Sequence, residues 1–189
     1  MKMLYVDVET TGLDWEEHDI IQLSGSLSVF RHREDFDLLM RPAGDYQLNE
    51  SAYQCHKKTR EEIDSYPSSS EIFNKFMGML KKHVNKYDKT DKFFFIGYNS
   101  TFDMNFVRAW FEKNDEEFFH SFFHFPSLDV MQAAAFHLMG KRAQMDNFRL
   151  DTVYKELTGK TLEKAHDAMA DINATKEILT KIVEQQGRL

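Results

Sequence analysis

The sequence predicts an α/β fold: a mixed five-stranded sheet whose first three strands form an antiparallel meander, with helices on both faces. Three observations carry that expectation. Strand-like apolar stretches dominate the first 41 residues, with no helical period between them. From residue 69 onward, helical faces alternate with short buried runs, the pattern of helices packed on a sheet. The chain has 189 residues, 42% of them hydrophobic, and only three prolines. That suits one domain over residues 1–189 with a core that needs no staples.

Each element follows from its local pattern. Met3 to Glu9 is apolar on both faces until it reaches its carboxylates, and reads as the first strand. Ile20 to Phe30 reads as the second and Phe36 to Arg41 as the third, joined by a polar turn, Arg31-His32-Arg33-Glu34-Asp35. Ser69-Ser70-Glu71 opens a helix with Ile72, Phe73, Phe76, Met79, Leu80 and His83 at helical spacing. Lys92 to Tyr98 holds a buried strand around Phe93-Phe94-Phe95-Ile96. Phe102, Phe106 and Trp110 then mark one face of a helix starting at Ser100 or Thr101. Phe122 to Phe125 is the expected fifth strand. Helices are expected over Leu128 to Met139, stopped by Gly140, and over Asn147 to Thr158, stopped by Gly159. The last runs from an Asp167 cap to Gln186.

Composition bounds the function. Twenty-four Lys and Arg against 31 Asp and Glu give a net charge of −7, which argues against holding nucleic acid by bulk charge. It leaves open an enzyme that meets phosphates through bound cations. No run approaches a membrane span, and no signal peptide is expected from Met1-Lys2 leading straight into the first strand. The single cysteine, Cys55, cannot form an internal bridge, so a cytoplasmic location is the default. The 17 Phe, 7 Tyr and 2 Trp read mainly as core, with Phe118-Phe119 and Phe122-Phe123 as the stacking candidates to check for exposure.

Three short segments could carry chemistry. In Asp7-Val8-Glu9-Thr10-Thr11-Gly12, residues i and i+2 of a strand share a face, so Asp7 and Glu9 project together at the strand's end. Two adjacent carboxylates repel, and an oxygen-loving divalent cation resolves that cost. In Asn99-Ser100-Thr101-Phe102-Asp103, Asp103 falls in the first turn of a helix, just after a buried strand. In His166-Asp167-Ala168-Met169-Ala170-Asp171, capping by Asp167 leaves His166 just outside the helix and puts Asp171 at its second turn. Taken singly each is ordinary: a strand reaching solvent, an acid complementing a helix dipole, a histidine at a helix start.

Their order along the chain is distinctive. Asp7-Val8-Glu9-Thr10-Thr11-Gly12-Leu13, Tyr98-Asn99-Ser100-Thr101-Phe102-Asp103, and His166 with Asp171 resemble the three motifs of the DEDDh group of 3′→5′ exonucleases. This is the DnaQ-like family, with a ribonuclease H-like fold. Ala52-Tyr53-Gln54-Cys55-His56 resembles a substrate-side segment of that family, and Ser127-Leu128-Asp129 and Asn147-Phe148-Arg149-Leu150 resemble structural stretches. Asp167 stands where a tyrosine-type variant would carry Tyr, so the His type is implied. Two departures stand out: Lys57-Lys58 replace a frequent Gly-Ile, and Tyr98 replaces a common His before Asn99.

The resemblance implies two Mg²⁺ or Mn²⁺ ions held by Asp7, Glu9, Asp103 and Asp171, with Asp7 bridging both and His166 as general base. It further implies single-stranded 3′ ends, DNA first, as substrate, and nucleoside 5′-monophosphates as product. Thr10, Thr11, Gly12, Leu13, His56 and Asn99 would meet the terminal nucleotide, with Leu13 as a wedge. An exoribonuclease of the RNase T or oligoribonuclease type shares the same motifs. A silent nucleic-acid-binding module or a structural cation site fits less well, because neither needs His166. A polymerase or replication partner is compatible with the family, but no tethering tail is expected after the last helix.

Overall fold

The opening strand alternates. Leu4, Val6 and Val8 point to one side, and Tyr5, Asp7 and Glu9 to the other. Strand β1 (Lys2–Thr10) can therefore take helices on both faces, and it lies in the middle of the sheet. The computed structural model describes residues 1–163 and 167–186. The sheet adds β2 (Ile20–Val29), β3 (His32–Leu39), β4 (Phe94–Gly97) and β5 (Leu128–Asp129), in the order β3-β2-β1-β4-β5. The pairs β1–β2 and β2–β3 are antiparallel, and β1–β4 and β4–β5 are parallel.

Eight α-helices are described: α1 (Glu50–His56), α2 (Arg60–Asp64), α3 (Ser69–Lys81), α4 (Ser100–Lys113), α5 (Phe119–Phe122), α6 (Val130–His137), α7 (Leu150–Thr158) and α8 (Ala168–Gln186). One face of the sheet packs Leu4, Val6, Leu23, Leu27 and Phe95 against Phe76 of α3, Phe106 and Phe111 of α4 and Phe122 of α5. The other packs Tyr5 and Ile96 against Val130 and Ala134 of α6, Val153 of α7 and Ile172 and Ile178 of α8. The expected mixed sheet with helices on both faces is what forms. No described helix is long and apolar enough to cross a membrane.

Several expected boundaries move, each for a local reason. The polar stretch 32–35 belongs to β3, not to a turn. The hairpin closes in two residues, Phe30 and Arg31, with Phe30 at φ 53. Arg33 and Asp35 keep polar partners in that edge strand, Asn173 and Lys176 of α8. The fifth strand is Leu128–Asp129, whereas Phe119–Phe122 is helical and Phe123 makes only a single bridge to Phe93. The helix expected from Leu128 starts at Val130, because the Asp129 carboxylate caps it by accepting from the N–H groups of Met131 and Gln132. It ends at His137, and Gly140 sits inside a 3₁₀ turn, Met139–Gln144. The helix expected from Asn147 starts at Leu150, the Asn147 side chain accepting from the Arg149 N–H and the Thr152 hydroxyl. Gly159, at φ 72, closes it as expected.

Candidate active site

The alternation of β1 decides where its acids go. Tyr5, Asp7 and Glu9 lie on the side that receives α8, and Asp171 sits in the first turn of that helix rather than at the second, where it was expected. The start of α8 is fixed by Asp167, whose Oδ1 accepts from the Ala170 N–H at 3.0 Å. Asp103 arrives from α4. The backbone turns at Asn99, in the left-handed region at φ 64, and one helical turn later Asp103 reaches β1. There its Oδ1 accepts from the Val8 N–H at 3.0 Å, and its side chain is 4% exposed. Gly97 makes room for it: a β-carbon at this residue would lie 3.2 Å from Asp103 Oδ2 and 3.2 Å from the Val6 carbonyl.

These carboxylates feel one another. Burial, followed by the carboxylates of Asp103, Glu9 and Asp171, pushes Asp7 well above the ordinary carboxylate range. Burial raises Glu9 to about 7, with Asp171 adding to the rise and the Lys58 ammonium opposing it. Asp103 is also raised to about 7, by burial first, then against hydrogen bonds from the Val8 N–H and its own N–H, with Asp129 and Glu9 adding. A set of mutually repelling, largely buried oxygen donors is one that a hard divalent cation fits.

A measurable pH dependence follows. Glu9 and Asp103, with ordinary values of 4.5 and 3.8, are both raised to about 7 in the fold. Between those limits the folded chain binds more protons than the unfolded one, so this contribution to stability is fully present in acid and is lost as pH rises through 7. The lowered His56 and His83 act with the opposite sign up to the ordinary imidazole range, but they act with and without metal alike. Thermal melts in EDTA and in Mn²⁺ therefore isolate the carboxylates. The gain on adding Mn²⁺ should be larger at pH 8 than at pH 5.5, and about 2.7 kcal/mol at a hundredfold excess over Kd. An equal gain at both pH values would contradict the coupling.

The proposed substrate side is built differently from its sequence pattern. The Thr10 hydroxyl donates to the Gly12 carbonyl at 2.6 Å, and the Thr11 hydroxyl accepts from the Asp19 N–H at 3.0 Å. Both threonines are buried and close the base of the loop between β1 and β2, while Leu13 is 68% exposed. At Gly12 the close neighbour is the His18 imidazole, 2.1 Å from where a β-carbon would stand. Sequence reading missed His18, nine residues after Glu9, the nearest acid of that motif, and with no pattern of its own. His56 ends α1, is 8% exposed, and accepts from the Lys58 N–H through Nδ1 at 2.9 Å. Burial, helped by the Lys58 cation, pulls its imidazole below the ordinary range. The Asn99 side chain makes no cap, and its N–H donates to Asp129 Oδ1 at 3.1 Å. His166 lies outside the described residues.

Beside Asp171 opens a cavity of about 510 Å³, lined by Cys55, Tyr98, Arg149, Leu150, Asp151 and Leu162. The Tyr98 hydroxyl donates to the Phe148 carbonyl, which holds the turn before α7 against the end of β4. Asp129 also belongs to this neighbourhood: one oxygen accepts from Asn99, Met131 and Gln132 and so ties the β4–α4 turn to α6. The sequence marked it only as part of the structural stretch Ser127-Leu128-Asp129, because the end of a two-residue strand offers no alternation to show its role. Of the four phenylalanines singled out for exposure, only Phe118 is exposed, and Phe119, Phe122 and Phe123 are core.

Residues 4–179 match the profile of the RNase T family, described as exonuclease. No curated protein sequence matches the chain. Among solved structures, a zinc-bound complex of E. coli exonuclease I with single-stranded DNA superposes with a TM-score of 0.77 at 22% identity, covering 98% of this chain and 40% of that one. E. coli exonuclease I with a dT13 oligonucleotide gives 0.75 at 21% identity, covering 97% and 41%. A product-bound exonuclease I gives 0.77 at 20% identity, covering 99% and 44%. The shared fold is the ribonuclease H-like exonuclease fold, and the chain spans about two fifths of those longer structures.

Proposed function

Because the chain belongs to the RNase T exonuclease family, we propose that residues 1–189 form one exonuclease domain, which removes nucleotides in the 3′→5′ direction from single-stranded DNA and releases nucleoside 5′-monophosphates. The observation that supports this most is the convergence at the end of β1 of Asp7 and Glu9 on one face, Asp103 bonded to the Val8 N–H, and Asp171 from the first turn of α8. Held by these four carboxylates, two Mg²⁺ or Mn²⁺ ions would supply Lewis-acid polarisation of the phosphodiester and charge neutralisation at the leaving oxygen.

The chain's own residues do the rest. His166 stands one residue before the Asp167 cap, and we assign its imidazole the proton of the attacking water. The closed base of the β1–β2 loop, made by Thr10, Thr11 and Gly12, presents Leu13 as an apolar wedge against the last base. His56 and Asn99 flank the same end of β1 and complete the proposed contacts with the terminal nucleotide. A net charge of −7 supplies little attraction for a duplex, so a frayed or single 3′ strand is the form that reaches the acids. A cytoplasmic site of action fits Cys55, an exposed free thiol.

Lys57 and Lys58 are the basic side chains next to this end, and Lys58 already acts electrostatically on Glu9. Replacing both by Ala should raise KM more than it lowers kcat in steady-state assays on a short oligonucleotide. The experiment that tests the assignment is degradation of labelled single-stranded DNA and RNA of one sequence, with Mn²⁺ and with EDTA. Faster metal-dependent loss of DNA supports it. Faster loss of RNA moves the chain to the exoribonuclease reading, and metal-independent loss removes the cation chemistry altogether.

A further inference from the structure

A second group of metal-binding side chains lies away from the carboxylates. His32 and Glu34 are two residues apart in β3 and share a face with Phe36 and Leu38, the face that packs on α3. Arg33 and Asp35 point the other way, toward α8. His83 stands in the turn that follows α3. The ligand atoms of His32, Glu34 and His83 all lie within 4.8 Å of one another. The two imidazole rings face each other with centroids 5.5 Å apart, and His32 Nε2 is 3.8 Å from a Glu34 oxygen. Behind them the His83 ring rests edge-on against Phe93, centroids 6.4 Å apart.

We propose that His32, Glu34 and His83 form a site for a borderline-soft divalent ion of the Zn²⁺ class, with its fourth position open. Two imidazoles and one carboxylate are the donors such an ion selects, and imidazole excludes Mg²⁺ and Ca²⁺ as its natural occupants. Around a tetrahedral zinc, with bonds of about 2.0–2.2 Å, ligand atoms stand about 3.3–3.5 Å apart. Side-chain rotation of the half-exposed His32 and Glu34 closes that gap without moving the backbone. The Lys2 ammonium nearby is occupied by Asp91 and by the His83 carbonyl, so it fixes the His83 backbone and its charge is matched. The site is separate from the carboxylate centre. In the pairing register His32 stands level with Val29 and Lys2, five residues of β1 from Asp7, about 17 Å at 3.4 Å per residue. An ion here joins the β2–β3 hairpin to the end of α3, two segments far apart in sequence, and so stabilises the fold by linkage.

The test is zinc binding by equilibrium dialysis in saturating Mg²⁺, which fills the oxygen-donor centre without competing for imidazole. The wild type should retain one zinc equivalent more than a His32→Ala/His83→Ala variant. The affinity loss should exceed the roughly 10–100-fold of an outer-shell change. Mg²⁺-dependent nuclease activity should be the same in both proteins, and only the wild type should show the visible absorption of tetrahedral Co²⁺. If the double variant folds poorly by circular dichroism, His83→Gln replaces it with the same expectations. Equal zinc stoichiometry and affinity in wild type and variant would overturn the site. So would a zinc equivalent that disappears with Asp7→Asn and not with the histidine changes.

Discussion

Asp7→Asn should abolish turnover and at the same time raise the melting temperature of the metal-free protein at pH 8. Both results come from one cause. Asp7 is held well back from ionising, by burial and by three neighbouring carboxylates. The amide keeps its shape and removes the repulsion, so the apo fold gains. Asp7 is also the residue proposed to serve both ions, so the substitution takes charge from the centre where the phosphodiester must be polarised. The expected loss of kcat is more than the roughly 10²–10³-fold that follows removal of a single electrostatic donor. Glu9→Gln should show the same pair of effects to a smaller degree, since Lys58 already offsets part of its burial. A variant that stays active while its apo stability rises would leave the acids as a cluster without chemistry.

His166→Ala should lower kcat by about 10²–10⁴-fold, the range for a positioned general base, with metal-induced stabilisation unchanged. The contrast with Asp7→Asn separates the two roles. One variant loses rate together with metal response, and the other loses rate alone. The cap of α8 belongs to Asp167 through its bond to the Ala170 N–H, so the helix does not depend on the histidine. The parent's rate should rise with pH through a limb near the ordinary imidazole value of about 6.5, and that limb should be missing in the variant. Full activity with the limb retained would take the base role away from His166.

How much of this was legible in the sequence depended on periodicity and length. The four acids were legible as a set only through their order along the chain, which resembles the three motifs of the DEDDh exonucleases; singly each is an ordinary acid at a strand end or helix start. The i, i+2 rule placed Asp7 and Glu9 together, and the α8 cap placed Asp171. The central strand was legible as a run apolar on both faces from Met3 to its carboxylates, as a strand covered on both sides must be. The short helices α1 and α2 were not, since five to seven residues give no full helical repeat, and their caps at Asn49 and Thr59 look like any loop. The edge strand β3 was misread for its first half because a polar run in a strand is stable only with cross-layer partners, here Asn173 and Lys176, more than 130 residues away. The His18 ring over Gly12 and the Asp129 tie to Asn99 are likewise tertiary contacts that no local pattern announces. His83 was expected within α3, but the helix ends at Lys81, and this places the histidine beside His32 rather than on the helix's buried face.

Metal-dependent removal of single nucleotides from a 3′ end is tested most directly by product analysis. Linear single-stranded DNA labelled at its 5′ end and a circular single strand of similar length would be digested side by side in Mn²⁺. A ladder of labelled products shortening by one nucleotide at a time should appear, with nucleoside 5′-monophosphates in solution and the circle intact. Early release of the 5′ label as a mononucleotide, or cutting of the circle, would contradict removal from the 3′ end.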